Sequence, residues 1–194
     1  MKNTSATIKR LKKIGMFNAA IATAKFGVSQ PTLSRWVKAG LIERVGRGLY
    51  QHPEADSNIE FLDFAVACAT FGPRSAIGGL SALSFYGLIE QVPAQIWIIV
   101  APEKRNSKSL YRCLRTQTSF RYGIEKKNSF YITNIERSLI ESLKFATKIG
   151  PRIAIQATRK AIQQGLTTEV KLGQMARRLK LHKTLGKYWE AIVT

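Results

Sequence analysis

The sequence predicts an α+β fold in which a small N-terminal helical domain with a β-hairpin precedes a larger mixed α/β domain with a small sheet and a helical C-terminus. Three observations support this order. Two helical segments separated by a glycine are followed by apolar residues on either side of a Gly-Arg-Gly tip. An aromatic and β-branched run between prolines indicates a buried strand, and from residue 134 the apolar residues recur at helical spacing.

Charge divides the 194-residue chain into three parts. Residues 1–52 carry ten basic side chains and one acidic one, residues 53–100 carry one and five, and residues 101–194 carry twenty and six. The net charge of +19 favours polyanionic partners such as nucleic acid. A polar stretch that begins at Pro53 is typical of a linker, so we expect a basic domain over residues 1–52 and a second domain over residues 53–194.

Residues 16–40 have the pattern of two helices joined by a turn. Apolar residues from Phe17 to Ala24 recur on one helical face, and Gly27 provides a C-terminal stop because glycine adopts a left-handed backbone readily. Ser29 is the expected N-cap of the second helix, with Pro31 in its first turn.

The second of these helices has an apolar side and a polar side. Leu33, Trp36 and Val37 would pack on the first helix and leave the polar side exposed. A short, polar and basic face at the start of a helix is typical of a recognition helix that enters the major groove. Arg35 is expected to read guanine, and Gln30 adenine. The other predicted contacts of this helix with bases or phosphates are Ser29, Thr32, Ser34 and Lys38.

A β-hairpin is predicted directly after this helix, because Leu41 to Tyr50 contains two apolar segments around a Gly-Arg-Gly tip. Arg44 and Arg47 on this wing would contact phosphates or a minor groove. Residues 1–52 are therefore predicted to form a winged helix-turn-helix that binds double-stranded DNA; the alternative is a small bundle with a solvated basic surface. Further neutralisation of the DNA backbone is expected from a first helix that carries Lys9, Lys12 and Lys13.

The second domain is predicted to begin with a helix over Asn58 to Phe71 and a short helix of small residues over Ala76 to Leu88. Gln95 to Ala101 indicates a buried strand, and Ser119 to Tyr122 and Ser129 to Ile132 indicate two more. The remainder, from residue 134, is expected to be helical.

Basic residues are crowded on these C-terminal helices. We expect a second electropositive surface there, which would contact the flanks of a DNA site, RNA or an acidic protein; a merely solvated face is the alternative. The predicted members are Lys144, Lys148, Arg152, Arg159, Lys160, Arg177, Arg178 and Lys180, and Lys183 and Lys187 belong to the same run.

The sequence predicts no catalytic residue, metal site or cofactor. His52 and His182 are the only histidines, and neither has metal-ligand spacing to another ligand. Cys68 and Cys113 form no metal-spaced pair and fit a reduced, cytoplasmic setting. The chain shows no secretory signal, and its longest apolar run is too short to cross a bilayer. We therefore expect a cytoplasmic protein that is not an enzyme and does not enter a membrane.

Several segments, in this order, resemble the AbiEi family of type IV toxin-antitoxin antitoxins. Gly-Val-Ser at residues 27–29 precedes Leu-x-Arg at residues 33–35, and residues 39–50 read AGLIERVGRGLY. The pattern departs from the family at Ser138 and Glu141, where threonine and aspartate are expected. The resemblance covers nearly the whole chain and continues through Ser81 to Leu83, Tyr86 to Leu88, Pro93 to Ile98 and Ile135 to Glu141.

This resemblance implies an antitoxin that represses its own operon by binding promoter repeats. It also implies a C-terminal domain that counters a cognate nucleotidyltransferase toxin without needing a stable complex. Two other functions stay open at this level: a basic protein-interaction module, or an orphan transcriptional regulator without a toxin. A nuclease or nucleic-acid-modifying enzyme is the least favoured reading.

Overall fold

The computed structural model describes residues 4–46, 48–55, 61–106, 108–127 and 130–194. Packing contacts divide the chain into two compact units. Unit 1 consists of Met1–Pro73 with Lys127–Phe130, and unit 2 consists of Arg74–Lys126 with Tyr131–Thr194. Both units combine helices with a sheet, so the predicted α+β class is confirmed.

Unit 1 contains a three-stranded antiparallel sheet in the order β1-β3-β2. In chain order the elements are α1 (Thr4–Ile14), β1 (Met16–Asn18), α2 (Ala19–Phe26), α3 (Gln30–Lys38), β2 (Glu43–Gly46), β3 (Leu49–Gln51) and α4 (Leu62–Phe71). Helices α1, α2 and α3 and the hairpin β2–β3 follow one another in the predicted order, and β1 is an additional strand.

Residues 16–18 were predicted as the start of the helix that ends at Gly27, but they form the strand β1. Met16 pairs with Gln51, and Phe17 with Tyr50, so β1 adds a third strand to the hairpin. Helix α2 begins one residue after β1, where the Asn18 side chain accepts a hydrogen bond from the backbone N–H of Ile21 at 2.8 Å. The helical prediction was wrong here because the partner strand lies far along the chain, where local spacing cannot reveal it.

Helix α4 belongs to unit 1 because it packs on β1 and β3. The Asn18 side-chain N–H donates to the carbonyl of Ala69 at 3.2 Å, which joins α4 to the start of α2. The compact unit therefore runs to Pro73, whereas composition placed a boundary at Pro53. The predicted start of this helix, Asn58, lies outside the described residues.

Unit 2 is built on a five-stranded mixed sheet in the order β6-β5-β4-β8-β7. Every residue of β5, an interior strand, is buried. The elements are β4 (Ser75–Ile77), α5 (Gly79–Phe85), β5 (Ile96–Val100), β6 (Tyr111–Arg115), β7 (Ile124–Lys126), β8 (Tyr131–Thr133), α6 (Ile135–Lys144), α7 (Ala146–Ile149), α8 (Pro151–Gln163), α9 (Glu169–Arg178) and α10 (His182–Val193).

Strands β4 and β6 of this sheet correspond to no predicted strand. Residues 75–77 form β4, where a helix was expected from Ala76, and α5 begins only at Gly79. A Cβ atom on Gly78 would lie 2.8 Å from Cγ2 of Ile99, so the lack of a side chain lets the chain turn closely over β5. Strand β6 was missed because exposed arginines interrupt its apolar pattern; its full parallel ladder with β5 defines it.

The predicted strand over Ser119 to Tyr122 is also wrong. The segment forms a turn, and the strand follows it at β7. The carbonyls of Ser119 and Tyr122 both accept hydrogen bonds from the Arg137 guanidinium, which holds the segment in its curved form. Tyr131 and Ile132 lie in β8 as part of a strand, whereas Ser129 lies outside the described residues.

The C-terminal helices surround α6, which contacts α5, α8, α9 and α10. Their shared core includes Leu83, Leu139 and Leu143. Thr168 is the N-cap of α9, and its hydroxyl accepts from the N–H of Lys171 at 3.3 Å. In the part of the chain that the structure describes, no helix combines the length and the apolar character needed to cross a bilayer.

A buried ion pair lies within α6, and its arginine also bonds to the turn before β7. Arg137 and Glu141 have side-chain exposures of 0% and 1%, and Nη2 of Arg137 lies 3.2 Å from Oε1 of Glu141. Nη1 of Arg137 donates to Ser119 at 2.6 Å and to Tyr122 at 2.5 Å. Burial raises the pKa of Glu141, although Arg137 opposes this rise. The segment that departs from the family pattern at Glu141 is therefore part of the core of unit 2.

Replacing Arg137 with methionine is expected to lower the free energy of unfolding by about 3–5 kcal/mol, because a buried carboxylate and two carbonyls lose their donor. Glu141→Gln is expected to be less destabilising, since the amide oxygen can still accept from Arg137. Urea denaturation would measure both, with Arg105→Met at an exposed site as the control. Equal losses in the Arg137 and Arg105 variants would contradict this assignment.

Candidate nucleic-acid interface

The turn between α2 and α3 is fixed by backbone and side-chain hydrogen bonds. Gly27 has φ 63°, and its N–H donates to the carbonyl of Thr23 at 2.9 Å. The N–H of Val28 donates to Ala22 at 3.2 Å, and the Thr23 hydroxyl donates to the Val28 carbonyl at 2.9 Å. These bonds satisfy the end of α2 and set the direction in which α3 begins.

The apolar side of α3 is buried in the core of unit 1. Leu33 is fully buried and Trp36 is 8% exposed. Both belong to a cluster that includes Leu11, Phe17 and Ile42. The opposite side of α3 must therefore face away from this core.

That opposite side is polar, basic and exposed. Gln30, Ser34, Arg35 and Lys38 are all exposed, as is Pro31 in the first turn. Helix α3 contains no acidic residue. The structure thus brings these predicted side chains together on one face of α3, from its first residue, Gln30, to its last, Lys38.

Ser29 and Thr32 form a small network with Arg35 rather than an N-cap bond. The Ser29 side chain makes no capping bond to the backbone, and its Oγ lies 2.9 Å from Oγ1 of Thr32. Nη2 of Arg35 donates to Oγ1 of Thr32 at 3.2 Å. The expected cap at Ser29 is therefore replaced by side-chain hydrogen bonds that orient Arg35.

The hairpin places one predicted arginine on the surface. Arg44 is exposed, and its Nε donates to the carbonyl of Gly46 at 3.3 Å, next to a bulge in the ladder with β3. Gly48 has φ 72°, a conformation that the turn requires. Arg47, the predicted contact at the tip, lies outside the described residues.

Helix α1 contributes further cations. Lys9 and Lys13 are exposed, whereas Nζ of Lys12 lies 2.8 Å from Oε2 of Glu54. This contact with Lys12 lowers the pKa of Glu54. Glu54 thus partly neutralises one of the three predicted lysines. Arg10 is also exposed on α1, and it was not predicted from the sequence. Its position between Lys9 and Lys12 would have been enough to group it with these lysines.

Only some of the cations predicted for the second basic surface are exposed. Nζ of Lys144 is half-buried and donates to the hydroxyls of Thr116 and Thr118. Nε and Nη2 of Arg159 donate to the carbonyl of Ala191 at 2.9 Å and 2.6 Å, near the end of α10. These two cations therefore have structural contacts. Lys160 is half-buried, and the exposed members are Lys148, Arg152, Arg177, Arg178 and Lys180.

Members of this predicted surface line separate clefts, and Arg159 lines one of them with Ile192 and Thr194 of the C-terminus. Lys144 lies in a second cleft with Lys183 and Lys187. Lys160 lines a third cleft that includes Glu90, and Arg177 lines a fourth that includes Glu169. Among the described residues, no three histidine, cysteine, aspartate or glutamate side chains are grouped to hold a metal ion.

Asn18 fixes the start of α2, the helix that precedes α3 in the candidate interface. This role was not identified from the sequence. Asn18→Ala is expected to lower the free energy of unfolding by about 1–2 kcal/mol, because α2 loses its N-cap and α4 loses a hydrogen bond. Asn18→Asp keeps the capping oxygen and is expected to lose less. Thermal unfolding of both variants measures the difference; identical losses would show that the cap is unimportant.

A comparison with known protein families gives a match within unit 1. Residues 8–53 match the family described as transcriptional regulator, AbiEi antitoxin. The matched range runs from within α1 to just beyond β3 and includes all of α3 and the hairpin. No curated protein matches the chain. The expected resemblance is thereby confirmed for this segment, in which the chain is similar to the transcriptional regulators of the AbiEi antitoxin family.

Proposed function

We propose that the chain is a DNA-binding transcriptional repressor that acts as the antitoxin of a type IV toxin-antitoxin system. The observation that carries this proposal is the exposed, polar and basic side of α3 within a segment that matches AbiEi antitoxin regulators. A helix with this kind of surface, held on a buried apolar side, has the shape and the chemistry to enter the major groove of DNA.

Base recognition is assigned to the exposed side of α3. Arg35 uses one N–H for Thr32, and its other donors suit the two acceptors of a guanine edge. The Gln30 side-chain amide suits the donor and acceptor of adenine. Ser34, one turn after Gln30 on the exposed side, adds a hydroxyl that can donate or accept.

Phosphate binding is assigned to the cations around this helix. Lys38 at the end of α3, Arg44 on the hairpin, and Lys9 and Lys13 on α1 are exposed. Such contacts hold a protein on DNA with little dependence on base sequence. Arg47 is proposed for the same role from its place in the sequence.

The antitoxin role rests on the family match. We propose that the chain represses its own operon through promoter repeats and counters a nucleotidyltransferase toxin without a stable complex. Co-expression with a nucleotidyltransferase encoded in the same operon would test this. We expect the chain to restore growth without co-purifying with the toxin. If the chain regulates its promoter and no nucleotidyltransferase is encoded beside it, it is an orphan regulator.

Arg35→Ala is expected to reduce the preference for the operator over a random duplex by about 10- to 100-fold, because a bidentate contact with guanine is lost. Lys38→Ala is expected to weaken binding to both duplexes and to lower the salt slope by about 1. Gel shifts across a salt series measure both effects, and Arg105→Ala removes an exposed charge from unit 2 as the control.

Equal weakening on operator and random DNA by the Arg35 and Lys38 variants would contradict this division of roles. Unchanged binding in both variants would contradict the placement of the interface on α3. Tight binding of an acidic protein, with no preference among DNA sequences, would instead favour the protein-interaction module.

Glu54→Gln is expected to strengthen binding to every duplex by about two- to threefold, because Lys12 no longer has a competing carboxylate. The ratio between operator and random DNA should not change. Glu103→Gln is a matched control, since Glu103 forms a similarly exposed ion pair with Arg74 in unit 2. An equal gain from both substitutions would show that only total charge matters.

A further inference from the structure

A cleft of about 330 Å³ lies between the α6–α7 region and α10 of unit 2. We call it the lysine cleft, because three lysines from two parts of the chain line it: Lys144 at the end of α6, and Lys183 and Lys187 on α10. Its lining also includes two threonines and a tyrosine. The side chains that matter here are Lys144, Thr147, Lys183, Thr184, Lys187 and Tyr188.

The lysine cleft concentrates positive charge. Lys183 and Lys187 are exposed and stand one turn apart on α10, an arrangement that places like charges side by side and opposes helix formation. Of the described residues that line the cleft, none carries a carboxylate. An anion from outside the chain would relieve this local repulsion.

Lys144 is held in a fixed position at this site. Its Nζ donates to Oγ1 of Thr116 at 2.8 Å and to Oγ1 of Thr118 at 3.0 Å. Nζ also lies 5.2 Å from the centre of the Phe145 ring. Burial lowers the pKa of Lys144, although Glu141 opposes this change. An anion in the cleft would stabilise the charged form of this half-buried lysine.

The donor types of the cleft suit a phosphate ligand. All the cations of the cleft are lysines, and lysine binds phosphate as a compact charge. Thr147 and Thr184 add hydroxyl donors. Tyr188 is half-buried, with Nζ of Lys187 at 5.4 Å from its ring centre, so a ring surface adjoins the charges. Phosphates beside an aromatic ring suit a nucleotide chain.

We propose that the lysine cleft binds the phosphates of a nucleic-acid strand, separately from the reading of duplex DNA by α3. This site lies wholly in unit 2, outside the residues 8–53 that match the regulator family. It gives the chain a second nucleic-acid site that does not require a major groove.

The test uses the full chain with the double substitution Lys183→Gln and Lys187→Gln. The probe is a fluorescent single-stranded oligothymidylate of about 12 nucleotides, which presents phosphates and bases but no major groove. Near 0.1 M salt the affinity is expected to fall about tenfold, and the salt slope by about 1.4, as two phosphate contacts are lost. The oligouridylate of the same length should show the same losses if the backbone is recognised.

The matched control is Lys126→Gln with Lys171→Gln, which removes the same charge from exposed positions of unit 2 outside the cleft. A loss below about twofold is expected for this control. Equal losses in the two double variants would overturn the proposal, because total charge alone would then explain binding. Far-UV circular dichroism and thermal unfolding verify that both variants fold.

Two competing ligands complete the experiment. Inorganic pyrophosphate is expected to displace the oligonucleotide only weakly, and binding tighter than that of the oligonucleotide would overturn a strand as the ligand. A polyglutamate peptide that binds the cleft more tightly than the oligonucleotide would overturn phosphate recognition.

The two proposals fail independently. Arg35→Ala should leave oligothymidylate binding unchanged, and the Lys183 and Lys187 variant should leave the ratio of operator to random duplex binding unchanged. If the Lys183 and Lys187 substitutions do not weaken oligothymidylate binding, only the proposal for the lysine cleft is overturned. If Arg35→Ala does not reduce the preference for the operator, only the function proposed for α3 is overturned.

Discussion

Burial of Leu33 and Trp36 is the constraint on which the proposed interface depends. Because these side chains are fixed in the core of unit 1, the rotation of α3 about its own axis is determined. The side that carries Arg35 and Lys38 is consequently the side presented to solvent. Groove recognition in this protein would therefore be a consequence of hydrophobic packing, and substitutions in the core would alter it without touching the exposed face.

Much of unit 1 could be predicted because its signals are local. The apolar spacing within α3, the glycine at the end of α2 and the Gly-Arg-Gly tip all act through neighbouring residues. Strand β1 could not be predicted in this way. Its identity depends on pairing with β3, and the same apolar residues suit the first turn of a helix equally well. The role of Asn18 as the N-cap of α2 was hidden by the same error.

In unit 2, the number of basic residues in the sequence does not show where their charges lie in the structure. Sequence grouped Lys144 and Arg159 with the exposed cations, yet each donates to oxygen atoms of its own chain. A count of basic residues cannot show which of them meet an internal acceptor. Lys183 and Lys187 were part of the same run, and only the approach of α10 to the α6–α7 region shows that they share a cleft with Lys144.

In the proposed function, the hydrogen bond from Arg35 to Thr32 would affect discrimination between DNA sequences. An arginine that moves freely can reach several base edges and loses side-chain entropy when it selects one of them. A guanidinium held by a threonine on its own helix has fewer accessible rotamers before binding, so less entropy would be lost on forming a complex. Such a stiff side chain would adapt poorly to a shifted base pair, which would make the threonine an indirect determinant of operator choice.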